Sequence, residues 1–259
     1  MKRRQLMRYA GAGLLTTMGT VIASEFSPSL AQKPSGGLSV QWLGHTCFLF
    51  SGNGLRILVN PFRTIGCTAG YRPPKVAADL VLISSQLLDE GEIEGLPGDP
   101  QILYEPGAYK VSGIQLQGIS IAHDREGGRR FGNNVAWLWN QGGIKILHLG
   151  GAAAPIDLEQ KILIGRPDLV LIPVGGGSKA YNPEEAKQAV SALNPKMVIP
   201  THYRTQAADA SNCEIVAVDE FLTLMDGMTV RRASSNAIAL KSSDLPENGS
   251  VVQLLSYNF

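Results

Sequence analysis

The order in which two rhythms of apolar residues follow one another constrains this chain more than any single motif. From Leu38 the first rhythm is short and strand-like. Leu38–Leu43, Thr46–Ser51 and Leu55–Asn60 are apolar segments cut by Gly44-His45 and by the turn Gly52-Asn53-Gly54. Asp79–Ser84 is an almost unbroken apolar run, as a strand buried on both faces requires. Gln101–Tyr104, Ile114–Ala122, Asn134–Asn140 and Ile144–Leu149 continue the series, the last two joined by Gln141-Gly142-Gly143. The second rhythm alternates: helix over Asp157–Ile164, strand over Asp168–Val174, helix over Pro183–Leu193, strand over Met197–Pro200 and a short helix over Val218–Leu224. Asn182 can cap the Pro183 helix, Pro183 suits its first turn, and Glu184 and Glu185 favour its positive end. Met228–Ala233, Ala237–Lys241 and Val251–Tyr257 read as closing strands. Strands first and alternation afterwards predict an α+β fold, with two mixed sheets packed together and helices outside.

With 259 residues, 44% of them hydrophobic, the chain can bury one large core or two small ones. No linker or repeat divides it after the amino terminus, so residues 32–259 read as a single domain. Residues 1–31 read as a twin-arginine-like export signal. Paired arginines precede a weak apolar run, Tyr9 to Ala23, diluted by Gly11, Gly13 and Gly19, and Ser29-Leu30-Ala31 offers a small-x-small cleavage site. That run is too short and polar for a spanning helix of about 20 apolar residues. The expected destination is the periplasm or a thylakoid-type lumen, with no stable membrane span after the signal is removed. Formal net charge is +1. Lys2, Arg3, Arg4 and Arg8 against Glu25 place three net positive charges in the signal, which leaves about −2 on the rest. That balance argues against nucleic acid, which needs a basic face.

Nine segments, in order, resemble the metallo-β-lactamase fold superfamily, in particular its lactonase-like branch that includes ascorbate-6-phosphate lactonase. They are Trp42-Leu-Gly-His45-Thr-Cys-Phe48, Asn60-Pro-Phe62, Ala78-Asp-Leu-Val-Leu-Ile-Ser84, Pro106-Gly-Ala-Tyr109, His123-Asp124, His148-Leu-Gly150, Pro173-Val-Gly-Gly176, Pro183-Glu-Glu-Ala186 and Ile199-Pro-Thr-His-Tyr203. The resemblance implies a four-layer αββα sandwich with one or two metal ions at the sheet ends. An ion there acidifies bound water for attack on a carbonyl or phosphorus centre.

Aligned on the strand ending at Ser84, the main ligand motif H-x-H-x-D-H reads Ser85-Gln-Leu87-Leu-Asp89-Glu90. The bridging aspartate falls on Gly151 and the loop aspartate on Asn60. Of the first ion site only His123 survives, with Leu87 expected to project into its place. One imidazole cannot hold zinc against water. The second site keeps Asp89 and His202, and Glu90 reaches about as far as a histidine. Asp89, Glu90 and His202 are thus expected to hold one harder divalent ion, manganese, iron or zinc, or none. His45, Asn60, His148 and the pair His123-Asp124 are further pocket candidates, the last as a base with an orienting carboxylate. His45 and His148 also suit hydrogen-bonded core positions.

Gly175-Gly-Gly-Ser178 fits neither dinucleotide nor Walker patterns and reads as a loop at the pocket mouth. Cys47 lies in an apolar strand, whereas the loops of Cys67 and Cys213 approach the pocket rim in the resembled fold. An oxidising compartment permits them to form a disulfide; two free thiols are the alternative. The count of surviving ligands leads to the expectation of an exported, non-catalytic binding or assembly module, with an unknown protein or small-molecule partner. The alternatives are a lactonase- or phosphoesterase-type hydrolase using one ion, and a small-ligand carrier.

Overall fold

The computed structural model describes residues 37–259; the export-signal reading of residues 1–31 lies outside the described residues. The strand-rich part contributes β1 (Leu38–Gly44), β2 (Cys47–Gly52), β3 (Leu55–Val59), β4 (Leu80–Leu82) and β5 (Gln101–Leu103). It continues with β6 (Gly107–Val111), β7 (Ile114–Ala122), β8 (Asn133–Gln141) and β9 (Ile144–His148). Then come α1 (Leu158–Ile164), β10 (Leu169–Pro173), α2 (Pro183–Leu193), β11 (Met197–Thr201) and α3 (Val218–Leu224). The chain closes with β12 (Thr229–Arg232), β13 (Ala237–Leu240) and β14 (Val251–Leu254). Strand β6 is absent from the sequence reading, because only Val111 of its five residues is buried and alternation is weak. Its signal is the two-residue turn Ser112-Gly113, both at positive φ, which pairs it to β7.

Two mixed sheets result. The six-stranded one runs β13-β1-β2-β3-β4-β5 and the eight-stranded one β12-β14-β11-β10-β9-β8-β7-β6. Between them lies a core in which Phe50 meets Trp139 edge-to-face at 5.0 Å. The indole of Trp137 donates to the Ile83 carbonyl at 3.1 Å, so a large apolar group and a satisfied polar handle together join the sheets. A second core lies between the eight-stranded sheet and the helices. Val170, Ile172 and Val198 face Ala186, Val190 and Leu193 of α2 and Phe221 of α3. All three helices feed this second core, and among the described residues none contributes to the inter-sheet core. The α+β sandwich is as expected, with its helical layer on the eight-stranded side. Helix α2 starts as its sequence requires: Asn182 accepts from the Glu185 amide and the Glu185 carboxylate accepts from the Asn182 amide, each at 2.8 Å. No helix of the described residues is long and apolar enough to cross a membrane.

What places the site is strand direction. Strands β3, β4 and β5 are parallel, and so are β9, β10, β11 and β14. Parallel strands deliver their carboxyl ends to one edge, where the following loops are free to carry side chains that serve a ligand.

Candidate metal centre

Three loops at that edge converge. His45 comes from the β1–β2 turn, Asp89 from the loop after β4, and His202 directly follows β11. One donor atom from each lies within 4.8 Å of the others. Both histidines adopt left-handed backbone, φ 52° and 51°, a strained choice for a bulky residue that aims each ring into the site. Neither ring nitrogen of His45 has a hydrogen-bond partner, nor does Nδ1 of His202, although both side chains are buried. Burial holds the His45 imidazole down to about 4 against the opposing pull of Asp89, and lowers His202 as well, with His45 adding to the effect. Both rings are therefore neutral near pH 7, as ligation demands. Buried, unprotonated and unpartnered nitrogens beside a carboxylate fit one ion with two imidazoles and one carboxylate.

Glu90 is not in this triad. Its fully buried side chain turns inward, where Oε2 accepts from Ser85 Oγ at 3.0 Å and lies 3.6 Å from His123 Nε2. Burial raises its pKa, which His123 opposes and Asp89 reinforces. The missing side chain at Gly151 leaves the space it occupies: a Cβ there would strike the His123 ring and stand 2.8 Å from Glu90 Oε1. His123 spends Nδ1 on the Gly151 carbonyl at 2.5 Å. Two donors remain where the first ion was expected, too few to hold zinc. Leu87 is half-buried and lines the cleft wall, so Glu90, rather than Leu87, faces His123 there.

The other candidates are braces. Asn60, at φ 51°, accepts from the Ser84 amide at 2.8 Å and so ties the end of β3 to the end of β4. His148 donates Nε2–H to the Thr46 carbonyl at 3.0 Å and accepts from the Gly150 amide at 3.1 Å. Burial brings its pKa to about 3, so it stays neutral. Asp124 does not orient His123. Its carboxylate accepts from the amides of Phe131, Gly128, Arg130 and Glu126 at 2.8–2.9 Å, led by Phe131, which together hold it at about 2. His123 and Asp124 therefore do not form the base and orienting carboxylate expected from their adjacency.

Above the triad opens a cleft of about 630 Å³. Ile65, Leu87, Leu88, Phe131 and Ile215 give it apolar walls, and a Cys67–Cys213 disulfide crosses its rim. Cys47 is buried and free. On the floor stands a residue the sequence reading missed. Lys179 Nζ lies 2.5 Å and 2.7 Å from the two oxygens of Asp89. Burial alone would raise the Asp89 pKa, but Lys179 and then His45 outweigh it and hold the carboxyl at about 2. The one local signal was position, since Lys179 directly follows Gly175-Gly-Gly-Ser178.

A family profile described as a beta-lactamase superfamily domain matches residues 39–202, a span that includes all three triad residues. The chain belongs to the beta-lactamase superfamily. A UPF0173 metal-dependent hydrolase of Thermococcus onnurineus is 31% identical over 202 residues, covering 68% of this chain and 89% of the relative. Another, of Thermoplasma acidophilum, is 29% identical over 191 residues, 65% of this chain and 84% of its own length. A crystal structure of a candidate Zn-dependent hydrolase of the metallo-beta-lactamase superfamily from Thermotoga maritima superposes with a TM-score of 0.68. It is 31% identical, over 84% of this chain and 98% of that one. These relatives overturn the expectation of a non-catalytic binding or assembly module. They carry hydrolase names across most of their length, and the described residues of this superfamily member gather a His–Asp–His group able to hold an ion.

Proposed function

We propose that this chain is a metal-dependent hydrolase of lactonase or phosphoesterase type that works with one divalent ion held by His45, Asp89 and His202. The observation that carries this reading is the convergence of those donors within 4.8 Å, with buried ring nitrogens that nothing else satisfies. Two imidazoles and a carboxylate suit zinc, iron(II) or manganese. Such an ion, when bound, supplies Lewis acidity at a carbonyl or phosphoryl oxygen and acidifies water. The chain's own residues do the rest. His45 and His202 stay unprotonated, Glu90 and His123 close the space behind them, and the apolar walls of the cleft give the body of the substrate a surface to lie against. The reading includes loss of the ion at the first site, beside His123, and a small-molecule substrate. It also includes export, which the paired arginines and the Cys67–Cys213 disulfide support.

The test is metal content of protein purified without a metal-binding tag, measured with hydrolysis of a panel of lactones and phosphate esters. About one equivalent of metal is expected, with activity lost on chelation and in Asp89→Asn and His202→Ala. Wild-type protein that binds no metal under any loading condition sinks the proposal.

A further inference from the structure

Lys179 is held in place more firmly than a solvated lysine would be. Arg125 donates to the carbonyls of Gly177 and Ala180 at 3.0 Å each, and is itself fixed by both oxygens of Glu185 at 2.7 Å. Glu214 accepts from the amide and hydroxyl of Ser178 at 2.7 Å and 2.6 Å. Ala180 sits at φ 69°, a conformation a non-glycine residue adopts only when its surroundings impose it. The backbone on both sides of Lys179 is thus clamped, and its side chain, 17% exposed, is delivered to the floor of the cleft.

There it engages both oxygens of Asp89, the only carboxylate of the triad. An ion held by the triad must take at least one of those oxygens. A divalent cation and an ammonium on one carboxylate repel strongly in a cleft with apolar walls. Resting on the metal-dependent reading above, we propose that Lys179 and the ion compete for Asp89, and that loading the ion frees Lys179 to receive an anionic group of the substrate. Before loading, the ammonium neutralises Asp89. After loading, two further positive charges lie beside it, and Glu214, the other carboxylate on the cleft wall, has one oxygen committed to Ser178. The site then accommodates an anion next to the scissile bond, with the apolar remainder of the molecule against Leu87, Leu88 and Phe131. The substrate class is an ester, lactone or phosphoester that carries a carboxylate or phosphate and an apolar body.

Calorimetric titration of chelator-treated protein with zinc and manganese, comparing wild type with Lys179→Met and Lys179→Arg, tests the first half. Lys179→Met is expected to bind at least about tenfold more tightly, the low end for a close charge pair, and Lys179→Arg to behave as wild type. Equal affinities of wild type and Lys179→Met overturn the competition while leaving the hydrolase proposal standing. Absence of binding in wild type is instead the failure of that proposal. For the second half, the non-hydrolysable phenylphosphonate and phenylacetate are titrated into loaded and metal-free protein. At least one is expected to bind loaded wild type and to weaken about tenfold or more in loaded Lys179→Met, and the tighter of the two names the group. Equal binding to both loaded proteins, as when the freed ammonium swings to Glu214, overturns the anion assignment.

Discussion

Replacing Gly151 by alanine adds one methyl group at a crowded point behind the His45–Asp89–His202 triad. The ideal Cβ would collide with Cε1 of His123 and stand 2.8 Å from both His123 Nδ1 and Glu90 Oε1. Neither neighbour can retreat cheaply. His123 is fully buried and tied by Nδ1 to the Gly151 carbonyl, and Glu90 is fully buried and tied to Ser85. Overpacking of this kind costs about 1–3 kcal/mol, and immobile partners place Gly151→Ala in the upper part of that range. At this chain length such a loss lowers Tm by about 5–10 °C. Thermal and urea unfolding followed by circular dichroism measure it. The decisive arm is a double-mutant cycle with His123→Ala, which removes the ring that the methyl strikes. The double variant should be more stable than the sum of the single losses predicts, by at least about 1 kcal/mol. A neutral Gly151→Ala, or strictly additive losses, would refute the claim that packing of His123 and Glu90 leaves no room for a side chain at this position.

Three further outcomes follow from the same structure. Replacing Cys67 and Cys213 by serine opens a loop of 146 residues' separation and should cost about 2–5 kcal/mol. Mass spectrometry after alkylation without reduction should show those two sulfurs unlabelled in wild type. His148, at about 3 when folded and about 6.5 when unfolded, takes up its proton only on unfolding between those values. Its stabilising contribution is complete above pH 6.5 and declines as pH falls towards 3, with a slope of about 1.4 kcal/mol per unit at most. Denaturant unfolding of metal-free protein from pH 7 to 4 should show a shallower decline in His148→Gln. For Asp124, held at about 2 against an ordinary value near 4, the contribution is present above pH 4 and lost as pH falls through 2. In Asp124→Asn the amides of Glu126, Gly128, Arg130 and Phe131 should exchange hydrogen faster at neutral pH; unchanged exchange would remove the carboxylate as the loop's anchor.

Much of this protein was legible in its sequence because the relevant forces act locally or repeat. Alternation and continuous apolar runs marked the strands, and Asn182-Pro183 with Glu185 marked α2 to the residue, since capping is settled within one turn. The nine family segments led to the sandwich and, of the triad, contain His45 and His202. What tertiary structure decided was the direction in which each polar side chain turns. Glu90 and Asp89 are neighbours in sequence, yet one faces His123 inside a closed space and the other faces the cleft. His45 and His148 both looked like core histidines. Left-handed backbone sends the first into the His–Asp–His triad, whereas two backbone partners retain the second as a brace. Lys179 lies 90 residues from Asp89, and only the packing of the six-stranded sheet on the eight-stranded one brings the loops after β4 and β10 together. Spacing along a chain specifies which groups are available. Burial, backbone sign and the contacts of remote loops decide which of them meet.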